Sequence, residues 1–118
     1  MIKRLLIRKK WKSKVKDRLG YIQKLNSSSD ELKLRVALID VNKLFDFVLA
    51  KLKTKGDSYG ERLINSKYLI NENLYNRVLN AEEIKQQLSQ DPEFVIQKDH
   101  VRKLIWDVRK AMLEIIPE

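Results

Sequence analysis

At 118 residues, 43% of them apolar and 35% charged, the chain suits one soluble domain with a modest core and is too short for two. It has no cysteine, which excludes a disulfide framework and any thiolate metal site. The net charge of +9 is concentrated: residues 1–18 hold nine Lys or Arg against one Asp, whereas the other 100 hold 16 against 15. The sequence therefore divides into a basic N-terminal arm, 1–18, and a nearly neutral body, 19–118. A polyanion is the natural partner of such an arm, either nucleic acid or an anionic membrane surface. Arg4, Arg8, Lys9, Lys10, Lys12, Lys14 and Lys16 are the candidate contacts. A membrane span needs about 20 apolar residues in a row, and the sequence has none. The opening apolar run is too short for a signal peptide, so the expected location is cytoplasmic.

Three glycines and two prolines leave room for long helices. Residues 3–25 read as the first, with Ile7, Trp11, Val15, Leu19 and Ile22 recurring at spacings of three to four. Gly20 predicts a kink or break there. Trp11 is expected against the core, although its lysine neighbours also suit base stacking or a membrane interface. Asn26 through Asp30 form a polar hinge, and Ser28 with Glu31 has capping-box spacing. The second helix, about 29–53, carries the clearest apolar stripe: Leu34, Leu38, Val41, Phe45, Val48 and Leu52, widened by Ala37, Leu44 and Leu49.

A loop at 55–60 leads to a short helix, about 58–67, that buries Leu63 and Ile64. Asn71 or Asn73 caps a fourth helix through Ser89, with Leu74, Val78, Ala81, Ile84 and Leu88 inward. Asp91-Pro92 ends it, since the residue before proline leaves the helical region. The last helix, about 98–115, turns Val101, Leu104, Ile105, Val108, Met112 and Ile115 to one face. Trp106 lies off that face, at a bundle flank or a dimer surface. Only Phe94-Val95-Ile96 suggests a strand. The pattern predicts an all-α, up-and-down four-helix bundle with a basic N-terminal helix. Leu38, Val41, Phe45, Val48, Ile84, Leu88, Leu104, Ile105 and Val108 are expected to be buried together.

Signs of catalysis are sparse. His100 is the single histidine, so no multi-histidine metal site can form, and its place beside Asp99 suits a solvated helix start. Gly20, Gly56 and Gly60 are too scattered for a phosphate loop. Glu82 and Glu83, each three residues ahead of Lys85 and Gln86, suit ordinary surface pairs. No cofactor and no metal is implied.

The run from Ala81 to Phe94 resembles a degenerate copy of the HEPN superfamily signature. That signature is an Arg followed by a polar residue such as Asn, then a His about five positions beyond the Arg, on the helix before the last. Alignment with a group of small bacterial proteins in that superfamily, which read A-H-K-x-R-N-x-x-A-H-E-P, places Lys85 at the Arg, Gln86 at the Asn and Gln90 at the His. Lys43-Leu44-Phe45-Asp46 and Gly60-Glu61-Arg62-Leu63 resemble further pieces of the same group, and the likeness covers roughly residues 11–113. It implies a HEPN-like helical fold that dimerises through the motif helices. It also implies loss of the metal-independent ribonuclease activity of that superfamily. The amide of Gln90 exchanges no proton near neutral pH, and Lys85 lacks the planar fork that grips a phosphate twice.

Three readings follow. The first is a non-catalytic helical interaction module, dimeric or bound to another protein, whose arm contacts nucleic acid. The second is a peripheral anchor on anionic lipid, with Leu5, Leu6, Ile7 and Trp11 amid the basic residues. The third is a residual ribonuclease that relies on Lys85 and His100.

Overall fold

The computed structural model describes the backbone of residues 2–117 and the side chains of residues 10–117. Among these the chain is all-helical, with no strand. Its helices are α1 (Ile2–Asn26), α2 (Glu31–Lys51), α3 (Tyr59–Asn65), α4 (Glu72–Gln90) and α5 (Lys98–Ile115). A single 3-10 turn at Lys67–Leu69 joins α3 to α4.

Gly20 does not break α1, which runs through it without interruption. Val15, Leu19 and Ile22, on either side of the glycine, are all buried. That packing outweighs a propensity deficit of about 1 kcal/mol. The helix also crosses from the basic arm into the neutral body without a boundary, and Val15, on the arm's side, belongs to the core. The expected Trp11 burial is partial: its ring meets Phe47 edge-on, with centroids 6.4 Å apart.

The capping box expected at Ser28 does not form. Asp30 caps α2 instead, its carboxylate accepting the Leu32 N–H at 2.9 Å. Ser28 is turned back, its hydroxyl accepting the Asp30 N–H at 3.0 Å, and Glu31 pairs forward with Arg35 at 3.2 Å. A carboxylate at a helix start gains from the helix dipole as well as from the hydrogen bond. The helix is correspondingly shorter than expected at both ends. Its stripe is buried from Leu34 to Leu49, and α2 is the central element, packed against α1, α3, α4 and α5.

In the loop that follows, Gly56 has φ +142°, and a Cβ there would meet the Arg62 nitrogen at 2.7 Å. Only glycine fits that approach. α3 is seven residues long and turns one narrow face inward. Leu63 is buried and Ile64, one step round the helix, is 60% exposed, contrary to expectation. Asn71, rather than Asn73, caps α4, its side chain accepting the Asn73 and Leu74 N–H groups.

The buried face of α4 runs Leu74, Val78, Ala81, Leu88. Between Ala81 and Leu88, steps of three and four admit position 84 or 85, and both are half-buried, so Ile84 shares the edge of the buried face with Lys85. This corrects the expected core in one member. The other eight expected core residues are buried. In α5 the expected stripe is buried from Val101 to Met112, with Ile115 only partly so. The Phe94–Ile96 segment forms no strand. Ile96 is buried, Val95 points to solvent, and the Arg35 guanidinium donates to the Phe94 carbonyl. Among the described residues, no helix is long and apolar enough to cross a membrane.

Candidate nucleic-acid interface

The helical period divides the described basic residues of α1 between two sides. Lys10 and Lys14 lie one turn apart on the outward face, and both are exposed. Lys12 and Lys16, also one turn apart, look toward α5; Lys16 is exposed and Lys12 half-buried. Arg18 faces α2 instead. Its guanidinium meets the Asp40 carboxylate at 3.0 Å and lies 4.9 Å from the Tyr21 ring centroid. No ion pair among the described residues neutralises Lys10, Lys12, Lys14 or Lys16. Like charges at i and i+4 disfavour the helix by a few tenths of a kcal/mol per pair, and an approaching anion relieves that repulsion. The side chains of Arg4, Arg8 and Lys9, and of Leu5, Leu6 and Ile7, lie outside the described residues.

The degenerate motif sits elsewhere and is engaged internally. Lys85 is half-buried on α4, where its ammonium meets the Glu82 carboxylate at 3.2 Å and lies 5.8 Å from the Tyr59 ring centroid. The Gln86 amide donates to the other Glu82 oxygen at 2.9 Å. Glu82 thus holds both partners, so the expected pairing of Glu83 with Gln86 gives way to an i,i+4 bond. Gln90 is exposed at the last position of α4, and His100 is exposed in the first turn of α5. Of the three motif positions, Lys85 is half-buried and Gln86 and Gln90 are exposed. No group of His, Cys, Asp and Glu able to hold a metal ion exists among the described residues.

Sequence reasoning missed two arrangements. The first is a polar tie between α2, the loop after it and α3. Arg62 grips Asp46 with both arms of its fork, at 2.7 and 3.2 Å, and donates to the Gly56 carbonyl at 2.8 Å. The Tyr59 hydroxyl donates to Asn42 at 3.0 Å, and Asn42 donates to the Leu38 carbonyl at 2.9 Å. Asp46 and Arg62 both belong to pieces that carried the family resemblance, which was the available signal of their pairing. The second is an open trough of about 540 Å³ between α1 and the end of α5, lined by Lys12, Val15, Lys16, Leu19, Leu113, Ile116 and Pro117. Nothing in either helix alone announces it. No family model, curated protein or solved structure matches this chain.

Proposed function

We propose that this protein is a non-catalytic helical interaction module whose basic helix α1 binds nucleic acid. One observation carries the reading: from residue 10 onward, α1 presents lysines that no ion pair among the described residues neutralises, while its apolar side chains face the bundle. Val15, Leu19 and Ile22 are buried, and Trp11 and Leu25 pack against the core. An amphipathic membrane anchor needs an apolar face free to enter lipid, and this part of α1 offers charge instead. Phosphates spaced along a nucleic acid suit a row of ammonium groups that carries no fixed geometry.

We further read the four long helices as an up-and-down bundle of HEPN-like type. The short connection between α1 and α2 and the central place of α2 support this, as does the meeting of Asp46 with Arg62. Lys85 is tied to Glu82 and Gln90 is an amide, so neither is equipped for phosphodiester cleavage. The pairing of two copies implied by the resemblance belongs to the same proposal, and sedimentation equilibrium checks it.

Affinity for a single-stranded RNA or a DNA duplex should fall steeply with salt, because each neutralised phosphate releases counterions. Changing Lys10, Lys12, Lys14 and Lys16 to Gln should reduce the slope of log K against log salt by about 3, at about 0.7–0.9 per phosphate contact. Binding that ignored both salt and these substitutions would overturn the reading. So would binding to anionic vesicles in the absence of any RNA or DNA binding.

A further inference from the structure

We propose that the trough between α1 and the C-terminal half of α5 is a docking groove for an acidic amphipathic helix of a partner protein. The inference goes beyond nucleic-acid binding: the groove shares Lys12 and Lys16 with that reading and leaves Lys10 and Lys14 to it alone. The floor is aliphatic, made by Val15 and Leu19 from α1 and by Leu113 and Ile116 from the end of α5. The trough continues past Gly20 into a second recess of about 350 Å³, which shares Lys16, Leu19 and Leu113 with the first and adds Gln23 and Arg109. From position 12 to position 23 of α1 is about 16 Å at 1.5 Å per residue, or three helical turns. That is the length over which a docked helix sets anchors at i, i+3 or i+4, and i+7.

The rims decide the occupant. Lys12 and Lys16 stand on one side and Arg109 on the other, and none of the described lining residues is acidic. Leu113, on the open side of the floor, is 46% exposed, and Trp106, which lines neither recess but lies under Arg109, is 47% exposed. The Arg109 guanidinium lies over the Trp106 ring, 4.6 Å from its centroid. Exposed Trp and Arg beside an apolar floor are the residue types that anchor protein partners. A second copy of this chain would bring two basic rims together, so like-charge repulsion disfavours self-association here. A nucleic acid would find no aromatic floor on which to stack a base. A bilayer surface does not fill a concave trough. An amphipathic helix with leucines on one face and glutamates beside them satisfies floor and rims together.

The test uses the full-length protein and a labelled synthetic peptide of about four helical turns, with Leu at alternating spacings of three and four and Glu elsewhere. Its controls are a scrambled isomer of the same composition and a version with Lys in place of Glu. The ordered acidic peptide should bind at least about tenfold more tightly than its scrambled isomer, the measure of an anchored rather than a merely electrostatic contact. Leu113→Gln and Arg109→Gln should each remove most of that preference. The double variant Lys10→Gln/Lys14→Gln, on the outward face, should keep it while weakening RNA binding. Leu113 is half-exposed, so its variant should fold, and thermal melts verify this; Arg109→Gln decides if it does not. Equal affinity for ordered and scrambled peptides would overturn the proposal. So would a preference that survived both trough variants, or a loss in Leu113→Gln of binding to RNA or to phosphatidylglycerol vesicles but not to peptide.

Discussion

The hydroxyl of Tyr59 donates to Asn42, and its ring packs edge-on against Phe45 with centroids 6.4 Å apart. Burial raises the Tyr59 phenol well above its ordinary value of 10.0, and the charges of Glu82 and Asp46 push the same way. Below about pH 10 the folded and unfolded chains both keep this proton, so it contributes no pH dependence. Above that, the unfolded chain releases the proton while the folded chain holds it. Stability must therefore fall as pH rises toward the folded pKa. Tyr59→Phe should lose about 1 kcal/mol at neutral pH, because Asn42 loses its donor, and should lack this part of the alkaline decline. Urea melts of both proteins between about pH 8 and 11 check the sign, since the exposed tyrosines and the lysines are common to both. Phe45 itself is fully buried. Phe45→Ala should cost about 3–5 kcal/mol as a large-to-small core change, read as a lower urea midpoint. Phe45 was legible in the sequence because the stripe of α2 from Leu34 to Leu52 spans about five turns of unbroken period. Tyr59 was not, because its partners lie on α2 and α4 and no local spacing points to them.

At the scale of elements, α1 and α4 show where a periodic reading goes astray. Gly20 suggests a break to any local rule, yet α1 is continuous, and a Cβ at Gly20 would meet nothing within 4 Å. Gly20→Ala should therefore raise stability by about 0.5–1 kcal/mol, through the backbone entropy that glycine loses on folding. A higher thermal midpoint checks it, whereas a lower one would show that the glycine is needed where the trough passes. In α4, hydropathy favours Ile84 alone, yet steps of three and four from Ala81 to Leu88 admit 84 or 85, and both are half-buried. A lysine is tolerated there because its ammonium reaches Glu82 and the Tyr59 ring. α5 came out with the boundaries its stripe predicts, since it has one broad apolar face and a proline-containing loop ahead of it.

For the whole molecule, the proposed reading separates charge from chemistry. The excess charge lies on α1, and the motif residues that resemble a nuclease signature lie on α4, where Lys85 meets Glu82 and the Tyr59 ring. The expected outcome with single-stranded or structured RNA, with or without divalent metal, is no cleavage. Lys85→Ala and His100→Ala proteins run alongside identify any contaminating nuclease. Cleavage abolished by either substitution would make the residual-ribonuclease reading the correct one. Lys85→Ala should also destabilise the fold, leaving the largely buried Glu82 carboxylate without its cation.

The sequence by itself determined what contiguous residues encode: five helices, the buried faces of α2 and α5, and the concentration of the excess positive charge in the arm. Those features follow from a period, a cap or a count, each complete within a few turns of chain. Only the tertiary structure decided which distant residues meet. Arg62 finds Asp46 across 16 positions, and Arg35 reaches the Phe94 carbonyl across 59. Asp30 caps α2 in place of Ser28, a choice between two adequate candidates set by how the chain enters from α1. The trough exists because α1 packs along α2 and touches α5 little. Such a divergence depends on the volumes of side chains facing each other from separate helices, and no pattern along one helix carries that information.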